Sequence, residues 1–154
     1  MSKEKINKIK YVTEEKLSKV NPDNIKKYDK YRKTSILKNK EVENTTYKVY
    51  QSYFNQFLVY LMEEWDNIDL YSDEFLDNAI DVMEGFMMLC QDTLLNHKKI
   101  INTKLSAISS FYMWSFKRKL IEKHPFANLL ERMKGAKEEK IINDYFLTSE
   151  QIKK

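Results

Sequence analysis

Residues that break or turn a chain are almost missing from this sequence, which has two glycines and two prolines in 154 residues. Strands need frequent turns, and tight turns depend on these residue types. Hydrophobic residues make up 42% of the chain and aromatic residues 13%, which is enough to form one sizeable core. We therefore predict an all-α protein built from long helices.

Two helices are predicted in the first forty residues. Thr13 followed by Glu14 and Glu15 is typical of a helix start, and Asn21-Pro22 ends this helix and begins the next. The second helix should reach about Leu37, before a polar connection over residues 38–43. Its predicted core residues are Ile25, Tyr28, Tyr31 or Arg32, and Ile36. Residues 1–12 are rich in lysine, with Ile6, Ile9 and Val12 at helical spacing.

Three longer helices follow, with apolar residues at every third or fourth position. They are predicted over residues 44–65, 72–92 and 98–120. Gly85, inside the second of them, favours close packing against another helix. The predicted inward residues are Tyr47, Tyr50, Phe54, Phe57, Leu58 and Leu61 in the first; Phe75, Leu76, Ala79, Ile80, Met83, Phe86, Met87 and Cys90 in the second; and Ile101, Leu105, Ile108, Tyr112 and Ser115 in the third.

The remaining carboxyl-terminal segment has mixed character. His124-Pro125 should stop the chain from continuing as a helix, because the residue before proline disfavours helical geometry. Residues 126–133 are compatible with one short helix, and the charged residues 134–144 with a linker. Residues 147–152 have the pattern of a helix start.

Charge is divided along the chain more sharply than the net value of +4 indicates. Residues 1–43 carry +6, residues 44–97 carry −9, and residues 98–154 carry +7. Two basic segments around an acidic one suit a module that turns one face toward a polyanion. Ordinary surface lysines explain the same charges equally well when charge is the only criterion.

Motifs for catalysis or cofactor binding are absent from the sequence. It has no glycine-rich phosphate loop, HExxH, CxxC or Gly-x-Ser-x-Gly motif, so no cofactor or metal is expected. His97 and His124 are expected at the surface or at a junction, and Cys90, the only cysteine, in the core. Met83, Met87 and Met88 are expected to fill the core. Asp73, Glu74, Asp77, Asp81 and Glu84 are expected to form a solvated face, with protein docking as the alternative.

Membrane insertion is not expected from the sequence. No apolar stretch approaches the roughly 20 residues that a membrane-spanning helix needs. The first residues lead into no apolar region of the kind found in signal peptides. We therefore expect a cytoplasmic protein with no membrane partner.

Two predicted helix starts carry groups suited to phosphate binding. Lys98, Lys99, Thr103 and Lys104 cluster at the start of the last long helix, and Thr45, Thr46 and Lys48 at the start of the 44–65 helix. Helix amino termini offer free N–H groups and the positive end of the helix dipole. Lysines and small hydroxyls are typical contacts to a duplex backbone. We add Lys134, in the predicted linker, to these candidate DNA-binding residues.

Four segments within about residues 40–152 resemble tyrosine recombinases, the integrases of phages and mobile elements, mainly their core-binding domain. The run Ile101–Trp114, which includes Leu105-Ser106-Ala107-Ile108-Ser109-Ser110-Phe111-Tyr112, is similar to the last main helix of that domain. Leu120-Ile121-Glu122-Lys123-His124-Pro125 follows it as in the family, except that His124 replaces the usual Asn. Residues 45–58 resemble the family's first long helix, and residues 145–152 its entry to the catalytic domain.

This resemblance implies a SAM-like, compact bundle of four to five helices with extra amino-terminal helices. The implied division is an extension over residues 1–40, a core-binding domain over 41–133, and a linker with the start of a catalytic domain over 134–154. The implied partners are double-stranded attachment-site DNA and other recombinase protomers. The family's catalytic arginines, lysine, His-x-x-Arg element and tyrosine find no match. We therefore expect no enzymatic activity from this chain, which corresponds to a truncated recombinase or to one without its catalytic half.

A second reading of the same residues is a helical adaptor that binds another protein through its acidic helix. Salt dependence separates the two, because phosphate contacts weaken steeply as salt is added and an apolar interface does not.

Overall fold

The computed structural model describes residues 11–38 and 44–126, and within these ranges every regular element is helical. The predicted all-α class is therefore confirmed. The helices are α1 (Glu14–Lys19), α2 (Pro22–Lys38), α3 (Asn44–Glu64), α4 (Asp73–Asp77), α5 (Ala79–Met88) and α6 (Lys98–Lys117), with a π-helical turn (Leu89–Thr93) after α5. The predictions for residues 1–10, 39–43 and 127–154 lie outside the described residues.

The first two helices begin where capping residues predict. The Thr13 hydroxyl accepts a hydrogen bond from the Lys16 N–H at 3.1 Å, which confirms Thr13 as the N-cap of α1. Asn21 links α1 to α2 and accepts a hydrogen bond from the Asp23 N–H at 2.9 Å. Of the core residues predicted in α2, Tyr28 and Tyr31 are buried. Ile25 was predicted wrongly, since 40% of its surface is exposed.

Helix α3 is the central element of the fold, and α1, α2 and α6 all pack against it. Its buried side chains include the predicted Phe54, Phe57, Leu58 and Leu61. Tyr28 of α2 stacks on Phe54 with ring centroids 4.1 Å apart. Because Tyr28 and Tyr31 belong to the same hydrophobic cluster as α3 and α6, α2 is part of the common core.

The predicted single helix over residues 72–92 is three elements in the structure. Ser72 caps α4 by accepting a hydrogen bond from the Phe75 N–H. Asn78, with φ −109° and ψ 19°, then interrupts the helix before α5. The π-helical turn follows α5 and contains the buried Cys90, as predicted for this thiol.

Two residues of this region face solvent against prediction. The kink at Asn78 sets the direction of α5, and Met83 and Phe86 then take the inward positions. Ile80 is left 38% exposed and Met88 61% exposed. Met88 is therefore not core filler.

Helix α6 closes the core over α3 and ends earlier than predicted. All five residues of its predicted inward stripe are buried. The Phe111 ring contacts aromatic side chains of α2, α3 and the α3–α4 connection, including Tyr31, Phe54 and Tyr71. The helix stops at Lys117 because Lys119 adopts a positive φ of 62°.

Candidate nucleic-acid interface

Helix α6 carries no acidic residue along its 20 positions and has lysines at both ends. Its solvent-facing side carries a row of polar residues that we call the α6 stripe, beside which Met113 and Phe116 are also exposed. Lys99, Ser110 and Lys117 are exposed, and the residues between them are partly exposed. At 1.5 Å rise per residue, Lys99 and Lys117 are about 27 Å apart along the helix. The members of the α6 stripe are Lys99, Asn102, Thr103, Ser106, Ser110 and Lys117.

The start of α6 leaves backbone donors free. Its N-cap, His97, makes no side-chain capping hydrogen bond, so the Lys98 and Lys99 N–H groups have no side-chain acceptor at the cap, whereas the Ile100 N–H donates to the His97 carbonyl oxygen at 3.1 Å. Lys98 and Lys99 are both exposed there. The Thr103 hydroxyl donates to the Lys99 carbonyl oxygen at 3.0 Å and keeps lone pairs for a further donor. The dipole and the two lysines together make this end of α6 electropositive.

Lys104 does not lie at the surface with Lys98 and Lys99, so the prediction that it contacts phosphate is wrong. Only 2% of its surface is exposed. Its ammonium group donates to Asn96 Oδ1, lies 3.8 Å from Cys90 Sγ, and sits 5.2 Å from the centre of the Tyr53 ring. Burial lowers the pKa of Lys104, and Cys90 partly opposes this. The residue fastens α6 to the π-helical turn and is not available to an external anion.

The predicted residues of α3 are placed at its exposed start. Thr46 and Lys48 are exposed, and Lys48 borders a shallow polar depression with Gln51, Ser52 and Asn55. Among the described residues, α3 has no other basic side chain. The Thr45 side chain and all of Lys134 lie outside the described residues.

A groove between α2 and α6 was missed by the sequence reasoning. It is lined by Tyr31, Thr34, Ser35, Ser109, Ser110, Met113, Trp114 and Lys117. The Tyr31 hydroxyl hydrogen-bonds with Ser35 and Ser110, while burial raises its pKa. The Trp114 Nε1–H is buried without a hydrogen-bond partner, and the Arg118 guanidinium lies 5.0 Å from the centre of its ring. Ser110 and Lys117 belong to both the groove and the α6 stripe, so the two form one continuous surface.

The sequence indicates only the α6 side of this groove. Ser109, Ser110 and Lys117 stand out as polar positions on one side of α6. Their partners Thr34 and Ser35 come from α2, and only the packing of α2 on α6 brings the two sets together.

Charge is segregated on the folded molecule. Asp73, Glu74, Asp77, Asp81 and Glu84 are all exposed on α4 and α5, as expected of a solvated face. No basic residue occurs between Asp66 and His97. A polyanion would therefore be repelled from the α4–α5 side and attracted to the α6 stripe.

The two histidines have different environments. His97 is exposed at the start of α6. His124 is buried at the junction after α6, where Nδ1 accepts a hydrogen bond from the Phe126 N–H at 3.1 Å. In residues 11–38 and 44–126, no three His, Cys, Asp or Glu side chains are grouped so that they could hold a metal ion.

Comparisons add no family to this description. Searches of protein-family models, curated proteins and solved structures found no match to this chain. Within the described part of the chain, no helix combines the length and apolar character needed to cross a membrane. The class that the structure itself defines is an all-helical domain with one acid-free helix at its surface.

Proposed function

We propose that this chain binds duplex DNA, as the core-binding module of a tyrosine recombinase does, and that the α6 stripe faces the DNA. The observation that carries the proposal is the charge and size pattern of α6. Lysines stand at both ends and acids are absent. Between the lysines the outward side chains are small and polar, apart from the exposed Met113 and Phe116. The motif resemblance around Leu105–Tyr112 and His124-Pro125 supports the same conclusion.

The dimensions of α6 suit this function. The major groove of B-DNA is about 12 Å wide and admits one α-helix. Small side chains such as Thr103, Ser106 and Ser110 let a helix approach the base edges, because they add little bulk to its surface. Lys99 and Lys117, about 27 Å apart, would then reach phosphates on either side of the groove. Lysine and hydroxyl contacts of this kind fix the position of a protein on the duplex.

The α2–α6 groove extends the proposed contact surface. Arg118 and Lys117 supply positive charge at its edge. The hydroxyls of Thr34 and Ser109 are further candidates for backbone contacts.

A salt titration of binding to a mixed-sequence duplex tests the proposal. The logarithm of the affinity should fall linearly with the logarithm of salt concentration, by about 0.9 for each phosphate neutralised. The variant Lys99→Ala/Lys117→Ala should bind more weakly and reduce that slope by about 2. Binding that does not depend on salt would refute the proposal.

The matched control is Lys19→Ala/Lys33→Ala, which removes the same charge. Both lysines are exposed and already pair with acids of their own helix, at 3.7 Å from Glu15 and 3.0 Å from Asp29. Their loss should change the slope by much less. Equal effects of the two double variants would show that total charge, and not the α6 stripe, determines binding.

A further inference from the structure

One face of α5 and the π-helical turn combines exposed apolar and acidic side chains. Met88 and Leu95 are about 60% exposed, and the exposed charged residues from Asp77 to Asp92 are all negative. Helical spacing places Ile80, Glu84 and Met88 in one line, with Asp81 beside them. We call this set the acidic face; it consists of Asp77, Ile80, Asp81, Glu84, Met88, Asp92 and Leu95.

These apolar side chains are not surplus core residues. The side of α5 that faces the core is occupied by Val82, Met83 and Phe86, which are buried. Leu95 adopts a positive φ of 56°, and the Asn96 N–H donates to the Cys90 carbonyl oxygen at 2.9 Å to close this turn. A medium-sized apolar patch with an acidic rim is typical of a surface that binds another segment of protein.

We propose that the acidic face binds the first ten residues of the same chain. That segment contains Lys3, Lys5, Lys8 and Lys10 against a single acid, Glu4. Ile6 and Ile9 alternate with these lysines and supply two apolar side chains for the patch. The acidic face has four carboxylates and no basic side chain. Its negative charge therefore complements the lysines of residues 1–10, and its apolar side chains match Ile6 and Ile9.

The position of Tyr11 places the start of the described chain near this face. The Tyr11 hydroxyl donates to Glu63 Oε1 at 3.2 Å. Glu63 lies three residues after Tyr60, whose hydroxyl donates to the Val82 carbonyl oxygen of α5 at 3.0 Å, so Tyr11 lies beside the part of α3 that packs on α5. Ten residues span up to about 33 Å when extended, and α5 itself is only about 15 Å long. The preceding residues can therefore reach the acidic face in cis.

Methyl NMR of the full chain, with ¹³C-labelled methionine methyl groups, tests the proposal. Met88 reports on the acidic face, and Met113, exposed on α6, is the control; each resonance is assigned by a Met→Leu change. The variant Lys5→Glu/Lys8→Glu should shift the Met88 resonance and leave that of Met113 in place. The variant Asp81→Lys/Glu84→Lys should shift Met88 as well.

Combining both pairs of changes restores opposite charges and should return the Met88 methyl toward its original environment, measured as recovery of its protection from a soluble paramagnetic probe. An unchanged Met88 resonance in Lys5→Glu/Lys8→Glu would overturn the proposal. A Met88 shift that depends on protein concentration would overturn it too, because the segment would then come from a second copy. None of these outcomes depends on DNA binding.

Discussion

The Tyr60 hydroxyl fills the space in which a side chain at Gly85 would begin. A Cβ atom built on Gly85 would collide with that hydroxyl oxygen. The hydroxyl is held there by two hydrogen bonds: it donates to the Val82 carbonyl oxygen at 3.0 Å and accepts from Trp65 Nε1–H at 3.0 Å. Helix α5 can approach α3 this closely only because position 85 lacks a side chain.

Replacing Gly85 with alanine should therefore destabilise the protein, although alanine favours a helix by about 1 kcal/mol. Overpacking of a core typically costs about 1–3 kcal/mol, and displacement of Tyr60 would also break its two hydrogen bonds. We expect a net loss of about 1–3 kcal/mol, measured by urea unfolding.

The matched background is Tyr60→Phe, which removes the atom that collides. Gly85→Ala should cost less in that background than in the original chain, so the double-mutant cycle should show a favourable coupling. Purely additive costs would contradict the proposed collision.

Asn24 connects α2 to the segment between α3 and α4, and it is 1% exposed. Its Nδ2 donates to the Ile68 carbonyl oxygen at 2.9 Å, and its Oδ1 accepts from the Leu70 N–H at 3.0 Å. Asn24→Leu would leave two buried backbone groups without partners, at about 1–3 kcal/mol each. We expect a loss of about 2–5 kcal/mol in the free energy of unfolding.

The control for this change is Asn78→Ala, because the Asn78 side chain makes one exposed hydrogen bond, to the Glu74 carbonyl oxygen of the preceding helix. Its removal should cost less than about 1 kcal/mol. Similar costs at the two positions would mean that the Asn24 hydrogen bonds add little to stability.

Local signals in the sequence predicted much of the fold. Capping at Thr13 and Ser72 depends on residues within three positions, and the inward stripes of α3 and α6 depend on spacing within one helix. The sequence could not predict the exposure of Ile25, because that depends on where α3 lies against α2. The break at Asn78 was missed because the apolar spacing of residues 75–90 continues through it.

The candidate site was predicted less completely. Lys104 has the sequence context of a surface lysine at a helix start, and its burial results from Asn96, Cys90 and Tyr53, which lie far from it along the chain. The α2–α6 groove likewise needs the packing of two helices. Lys98 and Lys99 were placed correctly at an exposed helix start, since that depends on the last helix alone.

Lys104 should influence stability but not DNA affinity. Lys104→Met keeps the buried stem and removes the charge. Replacing a buried charge by an apolar group of similar volume is often neutral or stabilising, so we expect a stability within about 1 kcal/mol of the original chain at pH 7. Lys104→Ala would leave a cavity and should cost about 2–4 kcal/mol. Both variants, when folded, should bind DNA as tightly as the original chain.

The contribution of Lys104 to the stability of the protein should depend on pH. Burial lowers the pKa of Lys104 in the folded protein below its ordinary value of 10.5. At a pH between the folded-state pKa and 10.5, the unfolded chain therefore binds more protons than the folded protein. Its contribution to stability therefore rises with pH up to about 10.5 and is lost as pH falls. The original chain should gain stability relative to Lys104→Met between pH 8 and pH 10 in paired urea titrations. A constant difference over that range would contradict the assignment.

His124 should make the end of the domain sensitive to acid. Its Nδ1 accepts from the Phe126 N–H, which requires an unprotonated nitrogen at that position. Burial lowers the pKa of His124 below 6.5. The unfolded chain then binds more protons below pH 6.5, so this contribution to stability is present above that pH and is lost as pH falls through the folded-state pKa.

An asparagine at position 124 can replace this acceptor without titrating near neutral pH, since Asn side chains accept from the backbone N–H two residues later. We expect His124→Asn to match the original stability at pH 7.5 and to lose less on acidification to pH 5, measured by thermal unfolding. The control is His97→Asn, at the exposed histidine, which should keep the original pH dependence. If the two variants respond alike to acid, the hydrogen bond between His124 and Phe126 is not the source of the acid sensitivity.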